Sequence, residues 1–225
     1  AKLQSRDLSG TAVTDPALAS LSRFPALVEL NLADTATGDS GLSAIAALRD
    51  LEDLDLADTR VTDSGLGKLA ACTKLRRLIL AGTPVTGTGL AALKGLEQLA
   101  ELELSRSEVT GNELTNLALF SKLTSLGLDE INLITEDLDS LCRIRSFQSL
   151  SLADTGLGDT SHSPGSTTAA STGFACVVTN CALEVVSIAS RYKPTQRLPE
   201  GHKPCRLRCS LWLLWLVIRP GWYQW

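Results

Sequence analysis

The sequence predicts a right-handed α/β solenoid, with a parallel sheet on its concave face, short helices on its convex face and an irregular C-terminal tail. Three observations carry this prediction. Apolar residues recur in fixed columns 24 residues apart. Each 24-residue unit has one half of strand period and one half of helical period. Both signals stop near Asp159, where the composition changes.

The columns define about seven copies, opening at Leu3, Leu27, Leu51, Leu75, Leu99, Leu123 and Phe147. Three residues further on stand Leu30, Leu54, Leu78, Leu102, Leu126 and Leu150, with Arg6 in the first copy. Another column runs from Leu8 through Leu32 to Leu152 without exception. In Leu54-Asp55-Leu56 apolar and polar residues alternate, which is the signature of a strand. In Leu66, Leu69 and Cys72 the spacing is three, which fits a short α or 3₁₀ helix. Asp15, Asp39 and Asp63 precede that segment and are expected to cap its free N–H groups. Gly41, Gly65 and Gly89 fall inside that turn, so the helices should be short. One unit cannot bury its leucines alone, and stacking turns each column into a continuous ridge. Thr11, Thr35, Thr59, Thr83 and Thr155, with Ser107 in the fifth copy, form a hydroxyl column. Their hydroxyls are expected to bond backbone groups freed where the strand ends. The sixth copy has Ile131 there and should be irregular. Cys72 occupies a leucine column and reads as a small core residue.

The consensus L-x-x-L-x-L-x-x-T-x-V-T-D-x-G-L-x-x-L resembles the leucine-rich repeat family, over roughly residues 1–159. The resemblance is specific for fold and much less so for ligand. Threonine stands at the bend where that family usually has asparagine or cysteine. The stretch from Val61 to Leu78, with cysteine at Cys72, also looks like the repeats of F-box adaptors of the ubiquitin system. A third reading is a structural repeat array of a cell-surface protein.

In such a solenoid the residues between the buried leucines face outward on the concave sheet. Six of the fourteen positions flanking the second leucine are acidic and one is basic. The candidate partner-binding residues are Glu29, Asn31, Asp53, Asp55, Arg77, Glu101 and Glu103. They read as a groove that steers another protein with a basic or mixed surface. The alternative is a solvated face kept soluble by charge. The repeats contain no Trp or Tyr, so the face lacks the usual binding anchors.

Residues 160–173 read as a linker and 174–225 as an irregular tail. The first 159 residues carry 14 basic and 23 acidic side chains, net −9; the last 66 carry 7 and 2, net +5. All four tryptophans lie in the tail. Three readings compete: a cap or small domain, with an apolar strand at residues 174–178 covering the end; a membrane-interface anchor at Leu211–Ile218; or a read-through or mis-joined gene end. Cys176, Cys181, His202, Cys205 and Cys209 only partly match zinc-ligand spacing, and no metal or cofactor is expected.

The composition narrows the function. With 44% apolar and 20% charged residues, wholesale disorder is excluded. A net charge of −4 and a pI near 5.3 argue against nucleic acid as a partner. Two histidines, both beyond residue 159, and no nucleotide-binding or nucleophile-elbow motif argue against an enzyme. The lack of methionine suggests a fragment or a gene reading without its start, and no targeting segment is visible. Few cysteines in the repeats and no Asn-x-Ser/Thr acceptor favour the cytoplasm, without fixing the compartment.

Overall fold

Seven three-residue strands, one per repeat, are laid down by the alternating half of each unit. They are β1 (Ser5–Asp7), β2 (Glu29–Asn31), β3 (Asp53–Asp55), β4 (Arg77–Ile79), β5 (Glu101–Glu103), β6 (Ser125–Gly127) and β7 (Ser149–Ser151). In the computed structural model the described residues are 3–134, 137, 140, 141, 144, 146–155, 175–179 and 182–186. The strands form one parallel sheet in chain order, and every residue pairs with the one 24 positions on, as in Leu30↔Leu54↔Leu78. The backbone ladder runs on past the strand ends, through Leu32 N–H to Asp55 O and Asp58 N–H to Ala81 O.

The opposite face carries short helices: α1 (Asp15–Leu18), extended by a 3₁₀ turn at Ala19–Arg23, then α2 (Leu42–Ile45), α3 (Asp63–Leu69) and α4 (Gly87–Ala92). A 3₁₀ helix at Gly111–Leu119 follows in the fifth copy. Each helix packs on the next. The leucine columns fill the space between the two layers. Leu30, Leu54, Leu78, Leu102, Leu126 and Leu150 are each at most 3% exposed, and Cys72 is fully buried among them. Burial raises the Cys72 thiol pKa against a smaller opposing pull from Arg49. The first copy departs from this pattern: Leu3 and Phe24 are 39% and 40% exposed. Among the described residues this copy has a stacked neighbour on one side only, so these two positions stay wet while Leu18 and Leu21 are buried.

The threonine column behaves as its position implies. Thr35, Thr59, Thr83 and Thr155 are buried, and each hydroxyl donates to the carbonyl three residues back, at 2.6–3.1 Å. Ser107, shorter by a methyl group, has a buried hydroxyl with no hydrogen-bond partner among the described residues. Ile131 fills the same place with an apolar side chain, 3% exposed.

The aspartate column acts differently from the local capping rule. The N-caps of α3 and α4 are Thr62 and Thr86, whose hydroxyls accept from Ser64 N–H and Thr88 N–H. The aspartates reach forward into the next repeat instead. Asp15 accepts from Gly38 N–H at 2.7 Å, Asp39 from Thr62 N–H and hydroxyl at 2.8 and 2.7 Å, and Asp63 from Thr86 N–H and hydroxyl. Asp39 and Asp63 thereby fix Thr62 and Thr86, the cap residues that start α3 and α4, whereas Asp15 fixes Gly38, three residues ahead of the Gly41 that precedes α2. Close approach explains the glycine column: a Cβ on Gly65 or Gly89 would run into the carboxylate of Asp39 or Asp63.

A further period is written in the backbone. Gly10, Asp34, Asp58, Gly82, Arg106, Glu130 and Asp154, one residue before each bend position, all have φ between 52° and 67°. This left-handed turn lets the chain leave the strand for the helix side. Glu130 is exposed, and its N–H donates to Ala153 O. Glu130→Gly keeps that bond. It relieves about 1–2 kcal/mol of left-handed strain against about 0.4–1 kcal/mol of added chain entropy in the unfolded state. A net gain of about 0.5–1 kcal/mol is expected in chemical denaturation. A loss of stability would contradict this reading of the turn.

Beyond residue 155, β8 (Ala175–Thr179) and β9 (Ala182–Val186) form an antiparallel pair, and β8 lies alongside β7. The apolar strand expected at residues 174–178 thus corresponds to β8. The linker at 160–173, Cys181, His202, Cys205, Cys209 and the apolar run 211–218 lie outside the described residues. Among the described residues, no helix is long and apolar enough to cross a membrane.

Candidate functional site

Two files of outward side chains cross the sheet, one on each side of the buried Leu30–Leu54–Leu78–Leu102 row. Strand register sets their order. The first file reads Glu29, Asp53, Arg77, Glu101, and the second reads Asn31, Asp55, Ile79, Glu103. All seven residues singled out from the sequence therefore share one face, on β2 to β5. Neighbouring positions are about 4.8 Å apart, the spacing of strands in a sheet.

The two files differ in how tightly their side chains are held. In the second, Asn31 and Asp55 each accept a hydrogen bond from the N–H two residues on, Ala33 and Ala57, at 2.9 Å. Glu103 accepts from Ser105 N–H at 3.0 Å and from the Ser105 hydroxyl. Asp7 repeats the pattern on β1, bonding Ser9 N–H and hydroxyl, and these bonds lower its carboxyl pKa. The second file is thus tied to its own turns, which satisfies backbone groups at the strand ends. Sequence reasoning gave these residues the same role as the first file. Their geometry adds a structural task. Gly127 belongs to this arrangement, because a Cβ there would collide with the Glu103 carboxylate lying over it.

The first file is freer. Glu29, Arg77 and Glu101 are exposed and Asp53 is half-buried between them. Arg77 pairs with Glu101 at 3.4 Å, an exposed contact worth at most about 1 kcal/mol. Burial raises the Asp53 pKa; Arg77 pulls it down, while Glu29, Glu101 and Glu52 push it up, and the net shift is upward.

An open trough of about 360 Å³ runs between the files, from β1 to β4. Its lining includes Glu29, Asn31, Asp53, Asp55 and Arg77. Glu101 and Glu103, on the next strand, are not part of that lining; Glu101 pairs with Arg77 and Glu103 bonds Ser105. Arg6 and Ile79 also line the trough. Arg6 stood out in the sequence only as an interruption of a leucine column. On the edge strand β1 that position is exposed, which tolerates the arginine. The trough is an open concavity lined largely by charged and polar side chains, a form suited to docking.

Comparison with known proteins agrees with this geometry. A family model described as a leucine-rich repeat matches three consecutive units, residues 25–46, 47–70 and 71–94. The crystal structure of internalin C2 from Listeria monocytogenes is similar, with a TM-score of 0.51 and 27% identity over 70% of this chain and 74% of that one. No curated protein matches the sequence. The repeats and the internalin-like fold support a protein-interaction scaffold, of a kind that generally lacks catalysis.

Proposed function

Taking as premise that this chain is a leucine-rich-repeat solenoid, we propose that it is a non-enzymatic scaffold that binds another protein on the concave face of its sheet. The observation that carries this reading is the register of β2 to β5. It brings Glu29, Asp53, Arg77 and Glu101 into one line across the sheet, the first three of them lining the trough. A rigid sheet holding several charges in fixed order costs a partner little ordering on the scaffold's side. The partner presents a basic or mixed surface, and attraction over this distance steers its approach. Asn31, Asp55 and Glu103 serve as a preset rim.

The test is a pull-down of partners with the unaltered chain and with Asp53→Lys plus Glu101→Lys, each checked for folding by circular dichroism. The charge reversal should weaken capture at least about tenfold, and capture by the unaltered chain should fall as ionic strength rises past about 0.15 M. Unchanged binding by the reversed variant would discard this face as the site.

A further inference from the structure

We infer that the occupant of the trough is an α-helix lying along the solenoid axis, across the strands, with a charge order of basic, basic, acidic, basic facing the sheet. The inference rests on the concave-face reading above and specifies its partner.

The first file has a defined sequence of charges, Glu29, Asp53, Arg77, Glu101, and each comes from a different strand. A partner must therefore repeat its contacts at the strand spacing, about 4.8 Å. A helix presents the same face once per turn, every 5.4 Å or so. Across three strand steps the mismatch is about 2 Å, within reach of long lysine and glutamate side chains. An extended segment along the same line presents the same face every 6.8 Å or so, and drifts by about 6 Å over those steps. Only the helix stays in register. Side chains at i, i+4, i+7 and i+11 fall on one helical face, and would oppose the four charges in turn.

The second file suits the body of such a helix. Asn31, Asp55 and Glu103 are drawn back onto their own turns, and Ile79 supplies a half-buried apolar spot beside Arg77. Arg77 is what distinguishes this partner from any polycation. It sits between Asp53 and Glu101 and would repel a third consecutive lysine.

The probes are synthetic 15-residue peptides. One has lysine at i, i+4 and i+11 and glutamate at i+7, locked as a helix by a side-chain lactam on its outer face. One carries the same four residues with two central prolines. One has lysine at all four positions, also locked. Fluorescence anisotropy at low salt should show the locked mixed-charge helix binding at least about tenfold more tightly than the proline form. Arg77→Glu should reverse the order and make the all-lysine helix the tighter ligand. Equal binding of locked and proline peptides would overturn the helix. Unchanged preference in Arg77→Glu would overturn the charge order. If no peptide binds while the Asp53→Lys plus Glu101→Lys chain still loses its captured partner, the concave face stands and the helical partner falls.

Discussion

Leu78→Ala should lower the unfolding free energy by about 2–5 kcal/mol, the range for emptying a sealed core position. Leu78 is completely buried and sits midway along the stack, between Leu54 and Leu102 in strict register. Both neighbouring rungs would lose packing, and a stiff backbone ladder on each side prevents collapse into the space. Because each repeat contacts only its neighbours, the weakened centre should also reduce cooperativity between the two ends. Leu3→Ala provides the control: that leucine is 39% exposed, and its loss should cost under about 1 kcal/mol. Urea denaturation of both variants makes the comparison. Equal costs at the two positions would contradict the sealed ladder.

Asp63→Ala should be the most costly single change outside the leucine columns, at about 1–3 kcal/mol. Its carboxylate accepts from Thr86 N–H at 2.8 Å, from the Thr86 hydroxyl at 2.5 Å and from the Thr88 hydroxyl at 2.6 Å. Removing it strands the Thr86 N–H and frees the residue that caps α4. Burial alone would raise the Asp63 pKa, but the bonds from Thr86, Thr88 and Gly89 together outweigh it and lower the pKa. The sign follows from linkage. A folded-state value below the unfolded one contributes stability above the ordinary aspartate range near 4, and that contribution is lost as pH falls through the depressed value. Acid titration of stability should therefore be shallower in Asp63→Ala than in the unaltered chain. Gly89→Ala places a methyl group against the same carboxylate, so its cost should shrink in the Asp63→Ala background. Additive costs would show that Asp63 does not occupy that space.

The fold was legible in the leucine columns because burial recurs with the same period as the chain. The threonine bonds were legible too, since a hydroxyl acting on a carbonyl three residues back is a local event. The aspartates were misread for the opposite reason. A carboxylate just before a helix satisfies the capping rule on local grounds, yet its partners lie 23 residues ahead, where local reasoning does not look. The left-handed column was hidden by its mixed composition of Gly, Asp, Arg and Glu, which share a backbone angle and no side-chain chemistry. On the concave face the alternation placed all seven candidate residues outward on β2 to β5, as the strand register has them. It could not separate Glu29, Asp53, Arg77 and Glu101 from the tethered Asn31, Asp55 and Glu103, because both files alternate alike with the core.

The forward reach of Asp15, Asp39 and Asp63 bears on how such an array changes its length. Each clasp spans the same distance and asks the same things of the unit it enters: an amide, and a glycine to make room. A duplicated or deleted block of whole units restores every clasp wherever the cut falls. A gene of this kind can grow or shrink by recombination without rebuilding its seams, while an insertion of any other size breaks the clasp it falls within.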